Sequence, residues 1–269
     1  MSAKPEKFGN PEVLGSAGRG SPYKAFGVIL ILLLWVGLCS SDLVSMLILP
    51  SPLRVIMAVR DVGPQLLVHI LATALRVVAG LLLGIVFGFS LGILMQFSRR
   101  AYILLDGIVE TARPIPPVAV VPFFILIFGF AEIGKLLLVT LGTGLVITVA
   151  TVEAVERVPS SIVKWGLVSG LDRRHLFKSV VVPAAVPELR SGVRIALATA
   201  VALVVVSEFM GAQYGLGYLI NVAKITLTTP TLILSVFILG AMSWFFDLLV
   251  RAAFDHWCAW DVRAKGAVK

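Results

Sequence analysis

The stretch GLDRRHLFKSVVVPAAVP, residues Gly170–Pro187, places charged side chains inside a strongly apolar chain. An aspartate, a histidine and three basic residues follow the opening glycine closely, and two prolines occupy the second half. Such a stretch is expected at a membrane surface if the rest of the chain lies in a membrane. The composition decides that question.

The chain has 269 residues, of which 58% are hydrophobic and 14% charged, and its mean hydropathy is +0.99. Soluble domains carry about 25% charged residues, so this chain lacks the polar surface that a water-soluble globule needs. We therefore expect an all-α integral membrane protein. The net charge of +8 does not indicate nucleic acid binding, because cations also collect on the cytoplasmic loops of membrane proteins.

Apolar stretches indicate about six membrane spans, since a helix needs roughly 20 apolar residues to cross the hydrocarbon layer. Four prolines, Pro114, Pro116, Pro117 and Pro122, lie in the third stretch and the segment just before it, and they are expected to bend or break this span. The stretches are Ala25–Met46, Leu66–Met95, Val118–Phe130, Leu136–Val152, Val193–Met210 and Leu232–Val250. The third span is expected to include part of the segment before Val118 as well.

The distribution of basic residues predicts that both termini are cytoplasmic. An even number of spans puts the termini on one side, and that side collects about 17 Lys and Arg residues against about four on the other. The expected organisation is a cytoplasmic tail at 1–24, a membrane domain at 25–253 and a cytoplasmic tail at 254–269. The opening stretch then belongs to a long cytoplasmic loop at about 153–190.

Two short helices around a glycine are predicted in that loop. Ser160 or Ser161 is expected to cap the first helix, and Gly170 to end it. Asp172 then caps a second helix, which Pro183 is expected to end. From the residues alone, this hairpin could bind either anionic lipid at the membrane surface or a partner protein.

The loop resembles the EAA motif of permease subunits of ATP-binding-cassette importers. In that motif a Glu-Ala-Ala triplet is followed by glycine and then by an aliphatic pair before proline, which matches Gly170, Val180, Val182 and Pro183. The Glu-Ala-Ala positions are occupied by 164–166, which depart from the motif. The resemblance implies an ATPase-coupling role for Lys164, Trp165, Gly166, Gly170, Asp172, Arg173, Arg174 and Pro183.

Four further stretches resemble the nitrate, sulfonate and taurine branch of these permeases, in the expected order. They are LPSPLRVIMAV, RPIPPVAVVPFFILIFGFAEIGK, PAAVPELRSGVRIALATA and SEFMGAQYGLGYLI, which lie between Leu49 and Ile220. The resemblance implies a type I importer permease fold, a homodimer in the bacterial inner membrane, partner ATPase subunits and an extracytoplasmic solute-binding protein. It implies no cofactor in this chain, because the ATPase subunits bind ATP.

Ionisable residues within the spans are candidates for the substrate pathway. Arg76 and Glu208 are the two that we assign there, with structural roles as the alternative: Arg76 as an interfacial anchor and Glu208 as a buried paired acid. Asp247 and Arg251 have the spacing of a structural helix pair. Glycines at 80, 84, 88 and 92 are spaced for close helix packing.

We therefore predict the permease subunit of an importer that takes up a small solute such as a sulfonate, taurine or nitrate, and no enzyme. Gly129–Leu136 only approximates a nucleotide-binding loop, because Leu136 stands where a hydroxyl is needed. An ion-coupled secondary transporter is the alternative. The histidines and the two distant cysteines, Cys39 and Cys258, give no recognisable catalytic or metal-binding set.

Overall fold

A computed structural model describes residues 22–41, 45 and 47–258, and every regular element in these ranges is a helix. Most of the expected tail at 1–24 and most of the tail at 254–269 lie outside the described residues, and residues 22–24 belong to the first helix. The helices are α1 (Pro22–Ser40), α2 (Pro52–Val62), α3 (Gln65–Phe97), α4 (Arg99–Ala112), α5 (Pro117–Phe128), α6 (Glu132–Glu156), α7 (Ser160–Val168), α8 (Arg173–Phe209), α9 (Leu216–Ile225) and α10 (Thr229–Trp257).

Four of these helices are long and apolar enough to cross a membrane, namely α3, α6, α8 and α10. The number rises to five if α4 and α5 together form one bent span. Six spans were expected. Within the described part of the first expected stretch, the apolar helical run covers Ile29–Ser40, which is shorter than a span requires. The all-helical membrane fold is confirmed, with helices at all six expected places.

The third span is bent as its prolines predict. Helices α4 and α5 meet at an angle of 89° across the short break between Ala112 and Pro117. The break contains Pro114 and Pro116, which cannot donate the backbone hydrogen bonds that a continuous helix requires. Helix α5 itself opens with a 3₁₀ turn, Pro117–Val120, before the α-helical part.

Helices α3 and α6 form the closest pair in the molecule and run parallel to each other. Glycines 80, 84, 88 and 92 face Val139, Thr143, Ile147 and Thr151 in a constant register. A Cβ atom on Gly84 would lie only 1.9 Å from Thr143 Oγ1, so a side chain there would force the helices apart. The prediction that these glycines mediate helix packing is therefore confirmed.

Helix α8 packs into this pair and completes the core. Its apolar residues Ala196, Leu197, Ala200 and Val204 are buried together with Val77 and Leu81 of α3 and Val139 and Ile147 of α6. We call the end of this bundle at which α3 and α6 finish and α8 begins the loop end. The other end, which carries Gln65, Glu132 and Phe209, is the far end.

Candidate functional site

At the loop end, α7 and the start of α8 form a hairpin around Gly170, which we call the surface hairpin (Ser160–Leu176). Gly170 has φ +81°, a left-handed conformation that favours glycine. Its N–H donates to Leu167 O at 3.0 Å, and the N–H of Leu171 donates to Gly166 O at 3.2 Å. This pair of bonds is the Schellman arrangement that ends many helices. Gly170 therefore ends α7 as the sequence predicted.

Asp172 caps the second helix, also as predicted. Its Oδ1 accepts a hydrogen bond from the backbone N–H of His175 at 3.0 Å, and it contacts the imidazole Nδ1 of the same residue. The bond from the backbone of His175 lowers the pKa of Asp172 below its ordinary value, and the bond from the His175 ring adds to this effect. The start of α8 is thus fixed relative to the corner.

Two details of the predicted hairpin are wrong. Pro159, instead of Ser160 or Ser161, occupies the position before α7, and no side chain caps that helix. Pro183 does not end the second helix, because α8 is helical through all 37 residues from Arg173 to Phe209. A π-helical turn at Phe177–Val181 and a 3₁₀ turn at Val186–Glu188 lie beside the two prolines. These turns change the hydrogen-bonding pattern where proline would otherwise break an α-helix.

The surface hairpin exposes an apolar face. Trp165 and Val168 are 72% and 82% exposed, and Leu167 and Ile162 are also exposed. Gly166 is buried, because a Cβ there would lie 2.3 Å from Leu176 Cδ1. Of the residues implied by resemblance, Lys164, Trp165, Gly170, Asp172, Arg173 and Arg174 are exposed around one corner. Gly166 is buried inside the hairpin, and Pro183 is exposed further along α8.

At the far end, the structure brings Arg76 and Glu208 together. The Arg76 guanidinium donates from Nη1 to Glu208 Oε1 at 2.7 Å, and the Glu208 side chain has no exposed surface. The guanidinium also donates to both oxygens of Glu132, at 2.7 and 2.8 Å, and Lys135 donates to Glu132 Oε1 at 2.9 Å. We call Arg76, Glu132, Lys135 and Glu208 the charge cluster. It joins α3, α6 and α8.

This geometry agrees with the structural alternatives for the two residues that we assigned to the substrate pathway. Glu208 is a buried acid with an internal partner, and Arg76 is held by two carboxylates and by the carbonyl oxygen of Tyr214 at 2.7 Å. A direct contact of either residue with substrate stays a prediction.

The charge cluster also binds the segment that follows α8, residues Gly211–Ile225, which we call the end segment. Three successive backbone N–H groups at the start of α9 donate to side chains of the bundle. Gly215 donates to His69 Nδ1 at 3.0 Å, Leu216 to Thr73 Oγ1 at 2.7 Å and Gly217 to Glu208 Oε2 at 2.8 Å. These are the donors that a helix leaves unsatisfied at its N-terminus.

Sequence reasoning missed three members of this arrangement: His69, Thr73 and Glu132. His69, Thr73 and Arg76 are spaced three and four residues apart, so they share one face of α3. A polar face of this kind inside an apolar span was the signal that could have revealed them.

A second ionic contact joins α8 to α10 nearer the loop end. Asp247 accepts from Arg251 at 2.8 Å, which confirms the predicted helix pair. The other carboxylate oxygen of Asp247 binds Arg194 of α8. Nearby, Arg190 of α8 pairs with Asp255 of α10 at 2.8 Å. These contacts fix the two helices against each other.

A cavity of about 540 Å³ lies between α5, α6 and α8. Its deeper part is lined by Pro117, Gly142, Leu145, Val146, Ile195 and Thr199, and towards the loop end it is lined by Arg113, Glu153, Arg157 and Glu188. The charges at this mouth largely compensate one another. Glu153 lies 3.5 Å from Arg113 and 3.2 Å from Arg157.

A much smaller cavity, of about 20 Å³, lies at the far end. Ser207 of α8, the following Met210, and Phe124 and Ile125 of α5 line it. Among the described residues, no group of three or more His, Cys, Asp or Glu side chains could hold a metal ion.

A helical membrane bundle with an internal cavity open towards one end and a rigid hairpin outside the spans is the architecture of a membrane transport protein. The sequence identifies which one. Residues 80–257 match the family model of the binding-protein-dependent transport system inner membrane component, and the chain belongs to this family. It is the permease subunit of an ATP-binding-cassette importer, a multi-pass inner-membrane translocation subunit and not itself an enzyme. Family membership also removes the ion-coupled secondary transporter as an alternative.

Three relatives illustrate the range of the family. A probable ABC transporter permease of Brucella abortus is 35% identical over 81% of this chain and 88% of its own length. A putative aliphatic sulfonates transport permease of Bacillus subtilis is 30% identical, over 82% of this chain and 81% of its own. The taurine transport system permease of Escherichia coli is 28% identical, over 85% and 86%.

The fold also occurs in a solved transporter. A chain of the MetNI methionine ABC transporter, in an inward-facing conformation, superimposes with a TM-score of 0.58 at 22% identity, over 70% of this chain and 95% of that one. This likeness supports the type I importer permease fold.

Proposed function

We propose that this chain works as a homodimer that translocates a small sulfonate-type anion, taurine or nitrate into the cell. A solute-binding protein delivers the substrate at the far end, which faces outward. Two ATPase subunits bind the surface hairpins at the cytoplasmic loop end, where both termini also lie. The ATPase subunits supply the nucleotide site, and this chain binds no cofactor.

The exposed apolar face of the surface hairpin is the observation that carries this proposal. Trp165, Leu167 and Val168 lie outside the membrane-spanning helices, at a corner fixed by Gly170 and the Asp172 cap. Apolar side chains clustered in that way on a rigid element are typical of a protein-binding surface. Tryptophan is enriched among the residues that dominate binding energy at interfaces.

The departure from the EAA motif changes which residues make this contact. Lys164 stands at the position of the family's glutamate, so the charge of that side chain is reversed. The neighbouring Trp165 is exposed, whereas Gly166 is buried inside the hairpin. We therefore assign the main contact with the ATPase to Trp165, and the surrounding basic residues Arg173 and Arg174 to its rim.

Helix α8 provides the mechanical link between the hairpin and the substrate path. It begins at Arg173 in the hairpin, continues without interruption to Phe209, and contributes Glu188, Ser191 and Thr199 to the cavity wall. A rotation of the hairpin by the ATPase thus moves one wall of the cavity directly. Packed helices transmit such movements because their cores resist compression.

The cavity is the proposed exit path of the substrate. Its mouth carries Arg113 and Arg157 together with Glu153 and Glu188, so the formal charges balance and no net charge selects one anion over another. Selectivity for a sulfonate-type anion therefore rests on the solute-binding protein. The relatives named as sulfonate and taurine transport permeases support this choice of substrate class.

Co-purification of the ATPase tests the proposal, with Trp165→Ala as the variant and Trp257→Ala as the matched control. The two tryptophans are almost equally exposed, at 72% and 71%, but Trp257 lies at the end of α10. We expect Trp165→Ala to lose most of the bound ATPase and Trp257→Ala to retain it. Equal retention by both variants at matched membrane abundance would contradict the docking role of the hairpin.

A further inference from the structure

The N-terminus of α9 is held by three different kinds of acceptor. Glu208 and Thr73 provide a carboxylate and a hydroxyl, and His69 provides an imidazole nitrogen. The Glu208 carboxylate is also bound by the Thr73 hydroxyl at 2.9 Å. Hydroxyl groups keep their acceptor capacity across the physiological pH range, whereas imidazole changes protonation state between about pH 5 and 8.

His69 can make its contact only in the neutral form. The backbone N–H of Gly215 donates to Nδ1, and an imidazolium carries protons on both ring nitrogens and accepts no hydrogen bond. Protonation of Nδ1 would therefore place two donors against each other at a site where His69 is 5% exposed. The hydrogen bond thus requires the neutral ring and is lost once Nδ1 is protonated.

The surroundings of His69 contain further charged and titratable groups. Arg76 lies on the same helix, Glu132 and Lys135 lie at the start of α6, and Glu208 lies on α8. The rings of Tyr214 and Tyr218 of the end segment lie 6.1 and 5.7 Å from the imidazole, and Tyr218 stacks on it. Among these groups, His69 carries the only imidazole, and it contacts Gly215 and Tyr218 of the end segment directly.

The end segment packs on the bundle at the far end. Gly211 lies against the ring of Phe130, at the turn between α5 and α6, so closely that a Cβ on it would be 2.0 Å from that ring. The cavity between α5, α6 and α8 at this end measures only about 20 Å³. The position of the end segment therefore determines how tightly this end is packed.

We propose that His69 is a positioning residue for transport: in its neutral form it fixes the start of α9 and thereby the end segment on the bundle, and its protonation loosens the end segment. The inference rests on the proposed function, which assigns the far end to the outside of the cell. It makes the packing of that end sensitive to the external pH.

Cysteine accessibility measures this loosening without knowledge of the substrate. A cysteine at Ala212, which is buried, reports on the end segment, and a cysteine at the neighbouring exposed Gln213 is the matched control. Both are placed in a background with Cys39→Ala and Cys258→Ala. Intact cells are treated with a membrane-impermeant methanethiosulfonate reagent, and the rate at 212 is divided by the rate at 213 at external pH 5.5 and 7.5.

We expect the ratio to be higher at pH 5.5 than at pH 7.5 and to rise further at lower pH. The upper limit is about fivefold, which is the change that losing one hydrogen bond of ordinary strength produces. In a His69→Asn background the ratio should be independent of pH, because an amide oxygen can still accept from Gly215 and does not titrate in this range. In a Thr73→Val background the ratio should be higher at both pH values, with the pH-dependent increase retained.

Each other result has a defined meaning. A ratio that does not change with pH in the parent protein overturns the proposal, and so does an equal rise in parent and His69→Asn. If even the cysteine at 213 is not labelled in intact cells, the proposed orientation is wrong. In that case the same labelling measurements in inside-out vesicles test the effect of His69 independently of the orientation.

The consequence for transport is measured in proteoliposomes that contain the complete complex, with taurine as the probe and the inner pH held constant. We expect the uptake rate to change with external pH in the parent protein and not in His69→Asn. Identical pH profiles for the two proteins would show that His69 does not position the end segment for transport.

Discussion

The guanidinium of Arg76 lies 2.7 Å from the carboxylate of Glu208, although 132 residues separate them in the chain. The pair joins two spans whose side chains are otherwise mostly apolar, and the carboxylate is fully removed from solvent. An isolated buried charge is far more costly than a paired one, so each residue depends on the other.

Removing one member of this pair should destabilise the protein strongly. We expect Arg76→Gln to lower the free energy of unfolding by about 3–5 kcal/mol, because Glu208 then remains buried without its cation. Glu110→Gln is the control, since Glu110 and its partner Arg113 are 61% and 46% exposed and such a pair contributes at most about 1 kcal/mol.

Unfolding in detergent micelles, followed by circular dichroism, measures both changes. The double variant Arg76→Gln/Glu208→Gln should be less destabilised than the sum of the single variants, because the two charges are removed together. Strict additivity would show that the pair is not the interaction that matters.

The composition and the hydropathy pattern were sufficient to predict the helical membrane fold, because burial in lipid leaves few alternatives to helices. The close packing of α3 on α6 was also predictable, since glycines at every fourth position lie on one helix face. The corner at Gly170 and the cap at Asp172 were predictable for a similar reason: they depend on local backbone chemistry.

Contacts between residues distant in the chain were not predictable. Arg76 and Glu208 each stood out as charges in apolar spans. They lie on different helices, and the periodicity within one helix does not show which residues of another helix it contacts. His69 and Glu132 drew no attention because their partners lie on other helices. The continuity of α8 through Pro183 was missed because π and 3₁₀ turns depend on the packing around them.

The α3–α6 interface should tolerate no side chain at its glycines. We expect Gly84→Ala to destabilise the protein by about 1–3 kcal/mol, because its Cβ would overlap Thr143 Oγ1. Gly240→Ala is the matched control, since the same atom on Gly240 of α10 meets nothing within 4 Å. Heat-induced aggregation in detergent compares the two variants, and equal midpoints would refute tight packing at Gly84.

The Asp172 cap predicts a sign for the effect of pH on the hairpin. The pKa of Asp172 is lower in the folded protein than its ordinary value, so the cap stabilises the hairpin above the unfolded pKa. This contribution is lost as the pH falls through the lower folded pKa. The cap should therefore still stabilise the hairpin at neutral and mildly acidic pH, and the affinity for the ATPase should not fall over this range through loss of the cap.

Two substitutions at this residue separate the cap from its charge. Asp172→Asn keeps an oxygen that accepts from His175, and it should retain ATPase binding within about twofold of the parent. Asp172→Ala removes the acceptor and should weaken binding several-fold more. Binding of the purified ATPase at pH 7, titrated against permease in nanodiscs, distinguishes them, and equal affinities for both variants would contradict the capping role.

The proposed orientation has its own test. Cysteines replacing Asp61 on α2 and Lys224 on α9 should react with a membrane-impermeant maleimide added to intact cells, because both positions are exposed near the far end. A cysteine replacing Arg174 in the surface hairpin should react only after the membrane is opened. Labelling at 174 in intact cells would contradict both the cytoplasmic hairpin and the docking of the ATPase there.

The strictest prediction concerns Gly170, where the backbone angle and the proposed docking surface coincide. Its left-handed φ of +81° costs an ordinary L-residue about 1–2 kcal/mol, and β-branched residues are disfavoured there more strongly. No neighbouring atom lies within 4 Å of a Cβ at this position, so the effect of Gly170→Val comes from the backbone alone.

We expect Gly170→Val to give a displaced corner, weak ATPase association and loss of uptake. The membrane abundance should stay normal, because lipid burial of α3, α6, α8 and α10 does not involve the hairpin. Gly170→Asn is the matched variant, since asparagine adopts left-handed angles readily, and it should retain ATPase association and most of the uptake. Pull-down of the ATPase and taurine uptake, both at matched expression, measure these outcomes. If valine and asparagine behave alike, the conformation at Gly170 does not control coupling.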